Sequence, residues 1–141
     1  LLLSLLCIGC GGGNPTVPVE DLSGSWKLSG NVTNQDDDFE FNILIDPPYA
    51  RLVWYGMDYG HMENELAYAT PYENGILHLL FLTHGSDTTL QGIYYYTMEM
   101  DLYISVQPSS TSGSVTGTCT YTESDHDYEE IQQLKGIATK L

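Results

Sequence analysis

The strongest constraint on the fold is a run of alternating side chains over residues 90–106. Its even positions include Tyr94, Tyr96, Met98, Met100, Leu102 and Ile104, broken by Gly92, whereas the odd positions carry Gln91, Thr97, Glu99, Asp101 and Ser105, with Ile93, Tyr95 and Tyr103 as exceptions. Successive β side chains point to opposite sides of a sheet, so period two marks a strand with one face in oil and the other in water. Run straight, the segment would reach ~56 Å at ~3.3 Å per residue, long for a small domain. It is therefore expected either to coil strongly as one strand or to fold back through an odd-length loop near residues 99–101. A two-residue loop would exchange the faces.

The same alternation recurs along the chain. Over residues 24–33, Trp26, Leu28, Gly30 and Val32 share one face and Lys27, Ser29, Asn31 and Thr33 the other. Phe39, Phe41, Ile43 and Ile45 repeat the pattern against Glu40, Asn42 and Asp46, with Leu44 making the outer face partly apolar, until Pro47 and Pro48 stop the strand. Residues 51–57, rich in Val53, Trp54 and Tyr55, read as a third strand and residues 65–70 as a weak fourth. Glu73, Asn74 and Gly75 supply a tight turn before residues 76–83, since Asn-Gly tolerates the positive φ of hairpin loops. That next run is apolar on both faces and is expected to lie against another layer. A Ser/Thr/Gly turn over residues 108–114 leads to closing strands over 115–122 and 131–141.

No convincing amphipathic helix interrupts these runs. The expectation is an all-β domain, an antiparallel up-and-down β-barrel of roughly eight or nine strands, with a β-sandwich as the alternative. The barrel is preferred because closure leaves no edge to aggregate.

Residues 1–10 are an apolar run ending Ile8-Gly9-Cys10, followed at once by Gly11, Gly12 and Gly13. A bilayer crossing takes ~20 apolar residues, so this run is too short to span. It resembles the end of a lipoprotein signal peptide, with Ile8-Gly9-Cys10 matching the last places of the lipobox and Cys7 standing where leucine is usual. The resemblance implies acylation of Cys10, attachment to the membrane through that lipid, and a bacterial cell envelope location. By the same resemblance, Gly11 where an inner-membrane lipoprotein carries Asp points to the outer membrane if the source has one. Residues 1–9 then read as a truncated signal peptide, 10–20 as the lipidated cysteine and a flexible tether containing Pro15 and Pro18, and 21–141 as the barrel domain.

Four Lys and Arg against nineteen Asp and Glu give a formal net charge of −15. Nucleic acid is not expected as a partner, because phosphate recognition needs a basic footprint that Lys27, Arg51, Lys135 and Lys140 cannot supply. Acidity also disfavours docking on anionic lipid through the protein surface, so any membrane anchor must be covalent. The plain reading of the charge is solubility; the sharper one is electrostatic capture of a cationic protein such as a lysozyme.

The opening Gly24-Ser25-Trp26 resembles the Gly-x-Trp signature of lipocalins and the start of avidins, both calycin barrels, and the ending over residues 136–141 resembles the last strand of small bacterial lipocalin-like lipoproteins. The resemblance implies that Trp26 plugs the closed end of a barrel. The final strand offers Lys135 and Lys140 where lipocalins place an arginine over that tryptophan. Eleven tyrosines and two tryptophans suggest an aromatic-lined site for a small apolar ligand, with Trp26, Trp54, Tyr94 and Tyr96 as the candidate contacts, but core packing is the commoner fate of such residues even inside a small barrel, so the domain is read as a binding or a structural module.

No catalytic residue and no cofactor are assigned, and the chain is not expected to be an enzyme. The sequence lacks a Gly-x-Ser-x-Gly elbow and a phosphate-binding glycine loop. His61, His78, His84 and His126 include no metal-binding pair, and the acidic runs at 36–40 and 123–130 lack calcium-loop spacing, so no metal is expected. Cys119, flanked by threonines with no neighbouring base, reads as a small buried hydrophobe.

Overall fold

The computed structural model describes residues 22–72, 75–107, 109–124 and 127–141. The lipidation and tether expectations on residues 1–20 lie outside these, as do Glu73 and Asn74 of the expected turn. The described residues form strands β1 (Gly24–Val32), β2 (Asp37–Asp46), β3 (Tyr49–Leu52), β4 (Trp54–Met57), β5 (Gly60–Glu63), β6 (Leu66–Tyr68), β7 (Thr70–Tyr72), β8 (Ile76–Thr89), β9 (Gly92–Val106), β10 (Ser112–Glu123) and β11 (Glu129–Lys140).

Nine of them make one sheet in the order β6-β3-β2-β1-β11-β10-β9-β8-β7, and β4 and β5 pair separately. Its outermost strands, β6 and β7, are separated in sequence by Ala69 alone. Residues 66–72 are thus one extended segment whose first half lies against β3 (Arg51 opposite Leu66) and whose second half lies against β8 (Thr70 opposite His78). The segment brings the two edges of the sheet together and nearly closes it into an antiparallel barrel. The first and last strands pair along their length, from Trp26 opposite Lys140 to Val32 opposite Leu134.

The alternation sorts as expected. Trp26, Leu28 and Val32 of β1, Phe39 to Ile45 on the odd positions of β2, and Tyr96 to Val106 on the even positions of β9 all face a single buried core. β9 is one strand with no fold-back near 99–101, so the long run keeps its parity by coiling around the barrel. Strong curvature needs backbone to approach backbone, and glycine supplies it where β1 meets β11. Gly30 sits opposite Gly136, and a methyl group on Gly30 would stand 2.2 Å from the Lys135 carbonyl oxygen.

Two expectations are corrected. β8 runs on to Thr89, and among the described residues no second layer covers its outer face: Leu80 and Leu82 stay 45% and 46% exposed. A barrel made from one sheet has one inside, and isolated exposed leucines are tolerated on its outside.

The expected strand over residues 51–57 is also divided. Its halves β3 and β4 pair with β6 and β5 in one continuous register, from Tyr49 opposite Tyr68 to Met57 opposite Gly60. The buried side chains are Ala50 and Leu52 before Val53 but Tyr55 after it, and Met62 before Asn64 but Ala67 after it. Both strands therefore exchange faces at the same level. The Val53 N–H leaves the hairpin to donate to the Asn42 carbonyl of β2, and Asn64 takes a left-handed φ of 56°. Beyond that kink the β4–β5 hairpin folds inward.

Gly30→Ala is expected to destabilise the barrel by about 1–3 kcal/mol, the usual cost of overpacking a filled interior. A urea midpoint unchanged from wild type would show that the β1–β11 approach is looser than described.

Candidate functional site

The two ends of the barrel differ in chemistry. At one end, where the described chain begins, the Trp26 indole is 1% exposed, its Nε1 donates to the Leu22 carbonyl at 2.8 Å, and Lys140 Nζ lies 5.9 Å from the ring centroid, within cation–π range. Burial of an indole requires a partner for its N–H, and Leu22 provides one.

The other end is crossed by the β4–β5 hairpin. Its inward face carries Tyr55, Met57, Gly60 and Met62. The Tyr55 ring meets Phe41 of β2 edge-on at 5.2 Å, and its hydroxyl donates to Gln132 Oε1 of β11. Gln132 passes the bond on to Gln35, and Gln35 to Glu130 at 2.8 Å, linking the hairpin through the wall to the β1–β2 turn. Met57 Sδ lies 3.8 Å from Cys119 Sγ of β10. Gly60 packs so closely on Tyr96, Met98 and Tyr121 that a Cβ there would come within 3.1 Å of each. The hairpin is thus a lid whose apolar side completes the core, while Trp54, His61 and Glu63 on its other side face solvent.

Around this lid tyrosines gather. Tyr96 and Tyr121 stack at 5.5 Å, Tyr59 at the hairpin turn approaches Tyr121 at 6.5 Å, and Tyr128 meets Tyr121 edge-on at 6.1 Å. The Tyr94 hydroxyl points at the Tyr59 carbonyl, 3.5 Å away. Beyond the last β9–β10 pair, Tyr96 opposite Glu123, the β8–β9 ribbon runs on to its tip at Leu90 and Gln91. Between this ribbon, Tyr59 and Glu123 lies an open pocket of about 340 Å³, lined by Tyr59, Thr89, Gln91, Gly92, Ile93, Tyr94 and Glu123. A second hollow of about 280 Å³ shares Tyr59 and runs over Trp54, Asp58, His61 and Asp87.

Carboxylates concentrate at the same end: Asp36, Asp37 and Asp38 at the β1–β2 turn, Asp58 in the lid, Asp87 on β8, and Glu123, Asp127, Glu129 and Glu130 around the β10–β11 connection. Lys27 and Lys140 belong to the Trp26 end, and Lys27 pairs with Glu40 at 2.8 Å. The local field is visible in the tyrosines. Burial first, then the Asp87 and Glu123 carboxylates, holds the Tyr94 hydroxyl above its ordinary value. Burial and the hydrogen bond it donates to Glu123 Oε1 at 3.1 Å raise Tyr121.

The four expected ligand contacts do not converge. Trp26 is buried at the far end, Trp54 is 53% exposed on the outside of the lid with its ring over Gly56, and Tyr96 is covered by Gly60. Tyr94 alone lines the pocket. Tyr121 was legible, because Val115, Cys119 and Tyr121 form a period-two inward face; Tyr59, Asp87 and Glu123 meet only through the kinked lid. Among the described residues no group of three His, Cys, Asp or Glu side chains could hold a metal ion. Cys119 is buried, and its thiol is pushed up to about 12 by that burial and then by Glu130, which leaves it protonated and unreactive at neutral pH.

Tyr55, Cys119 and Tyr121 all titrate above their ordinary values of 10.0, 9.0 and 10.0, chiefly because burial opposes the charged form. Below those ordinary values both folded and unfolded chains hold the protons. Above them the unfolded chain releases protons that the native state retains, so stability is full below pH 9 and falls as pH rises through about 12. Urea midpoints measured from pH 8 upward should show this decline, and Cys119→Ala should make it shallower; a flat profile would contradict the burial of these groups. No protein-family model, curated protein or solved structure matches the chain.

Proposed function

We propose that this chain is a lipid-anchored lipoprotein of the bacterial cell envelope whose barrel is a non-catalytic binding module, meeting its ligand at the open, tyrosine-lined end and not in the lumen. One observation carries the placement: the β4–β5 lid puts Tyr55 and Met62, 5% and 0% exposed, into the space a lumen ligand would need, while the 340 Å³ pocket beside Tyr59 and Tyr94 stays open. A pocket of ~300–1,000 Å³ with aromatic walls and a few polar groups is the usual form of a small-molecule site. The lipocalin-like reading belongs to the same proposal, supported by Gly24-Ser25-Trp26 at the start of β1 and by Lys140 over the Trp26 ring.

The anchor rests on Ile8-Gly9-Cys10 and the glycines that follow. In cells making the full-length protein, Cys10→Ser is expected to move the chain from the membrane fraction to the soluble fraction. Retention in the membrane would remove lipidation from the proposal.

A second reading, capture of a cationic protein, is favoured by the gathering of carboxylates at the mouth. Salt separates the two. Capture of a lysozyme by the acidic end should weaken steeply between 50 and 500 mM salt, roughly the range over which the Debye length falls from over 10 Å to a few ångströms, whereas uptake of an apolar ligand should barely change. Lysozyme binding that is absent at low salt would set this second reading aside.

A further inference from the structure

We infer that the outer wall of the barrel at its Trp26 end is a membrane contact: a patch on β2, β3 and β6 that seats against the zwitterionic phospholipid headgroups of the bilayer. The inference rests on the proposed anchor at Cys10 and adds a surface to it.

Single exposed apolar side chains are ordinary on a barrel, but on these three strands they stand side by side. Leu44 of β2 lies opposite Arg51 of β3, and Arg51 opposite Leu66 of β6; in the next outward row Asp46, Tyr49 and Tyr68 follow in the same order. Leu44, Tyr49, Leu66 and Tyr68 are 41%, 46%, 55% and 64% exposed, and the two tyrosine rings meet at 5.0 Å. Leu80 and Leu82 on β8 are about as exposed, yet each stands opposite a carboxylate, Asp101 and Glu99. Between Leu44, Tyr49 and Leu66 the wall is hollowed by about 210 Å³, and Arg51 and Asp46 line the same hollow.

Position, charge and side-chain chemistry together select lipid as the occupant. Ser25 pairs with Leu44 and Gly24 with Ile45, so the patch lies at the end where the chain enters the domain beside Trp26. Eleven residues separate Cys10 from Leu22, a reach of at most ~40 Å, and a short flexible linker holds the surface at roughly millimolar effective concentration of the lipid at its far end. A weak contact suffices at that concentration. Lys27, Arg51 and Lys140, three of the four Lys and Arg, belong to this end, while carboxylates gather at the mouth. Lys27 is engaged with Glu40 and Lys140 with the Trp26 ring, so Arg51 is the cation that faces lipid from the patch. Its Nη1 donates to the Asn64 carbonyl at 3.2 Å, and a guanidinium has five N–H donors to share with a phosphate. Tyrosine rings settle at headgroup level with their hydroxyls in water, and Asp46 offers a carboxylate to an ethanolamine or choline cation. A second copy of the chain fits less well, because it would set Arg51 against Arg51 and bring two chains of net charge −15 within a Debye length.

The test couples the full chain, carrying Cys7→Ser, through Cys10 to a maleimide lipid in nanodiscs of phosphatidylcholine and phosphatidylethanolamine doped with a headgroup-nitroxide lipid. Chemical coupling supplies the tether whether or not cells acylate Cys10, so this experiment and the fractionation of Cys10→Ser fail separately. NMR signals of Leu44, Tyr49, Leu66 and Tyr68 are expected to broaden several-fold more than those of Tyr59 and Tyr94 at the mouth. Leu66→Thr combined with Tyr68→Thr, which keeps strand-forming side chains at two exposed positions, should remove that difference while leaving the thermal melt unchanged. Arg51→Glu should reduce it. Equal broadening at the two ends would mean a domain that tumbles freely on its tether and would overturn the inference, as would broadening confined to the mouth. A concentration-dependent doubling of mass of the uncoupled chain in sedimentation, lost in the same double variant, would give the patch to a second copy and overturn the lipid assignment.

Discussion

The barrel depends on one short extended segment that serves two strands at once. Residues 66–72 lie beside β3 and then beside β8, so the backbone groups at both margins of the sheet find partners in the same stretch of chain. At the handover stands Ala69, 3% exposed, whose N–H donates to the Pro48 carbonyl at 2.8 Å. A larger side chain there would have to displace core, and an unpaired N–H would be stranded away from water. The inward faces of β1, β2, β9, β10 and β11 enclose one shared interior only because the sheet returns on itself at this point.

The lid follows from a second economy. A long hairpin, residues 49–57 against 60–68, keeps one register throughout yet does two jobs, its base in the wall and its tip across the opening. A straight hairpin would point its tip away from the domain. The exchange of faces at Val53 and Asn64 turns Tyr55 and Met62 onto the core, and the Tyr55–Gln132 hydrogen bond gives the polar atoms at this depth a partner. Filling the lumen from within the chain leaves the rim, where tyrosines and carboxylates meet solvent, as the place for the proposed recognition.

Alternation along the sequence made much of the wall legible, since parity is a local property and survives in every strand longer than a few residues. The inward residues of β1, β2 and β9 were readable one by one. The lid was not readable, because Val53, Trp54 and Tyr55 continue an apparently regular run through a kink set by a tertiary hydrogen bond to Asn42. Trp54 therefore looked like a lining residue and lies outside, 53% exposed, while Gly60–Glu63 gave no strand signal at all. Tyr94 and Tyr96 share a face but part company in depth, since Tyr96 still has β10 beside it and Tyr94 lies where the ribbon extends past that strand.

The opposition of the barrel's two ends carries a further consequence. Leu22, bonded to the Trp26 indole, marks where the chain enters the domain, and the tyrosines stand at the other pole, separated from it by the length of β1 and of the longer strands beside it. Under the proposed anchor at Cys10, the tryptophan end is the one joined to the tether, and an upright domain would present the proposed recognition surface on the side turned away from the lipid, up to about 30 Å higher at ~3.3 Å per strand residue. Repulsion between the acidic pole and anionic headgroups would favour this upright posture over one with the mouth pressed to the membrane.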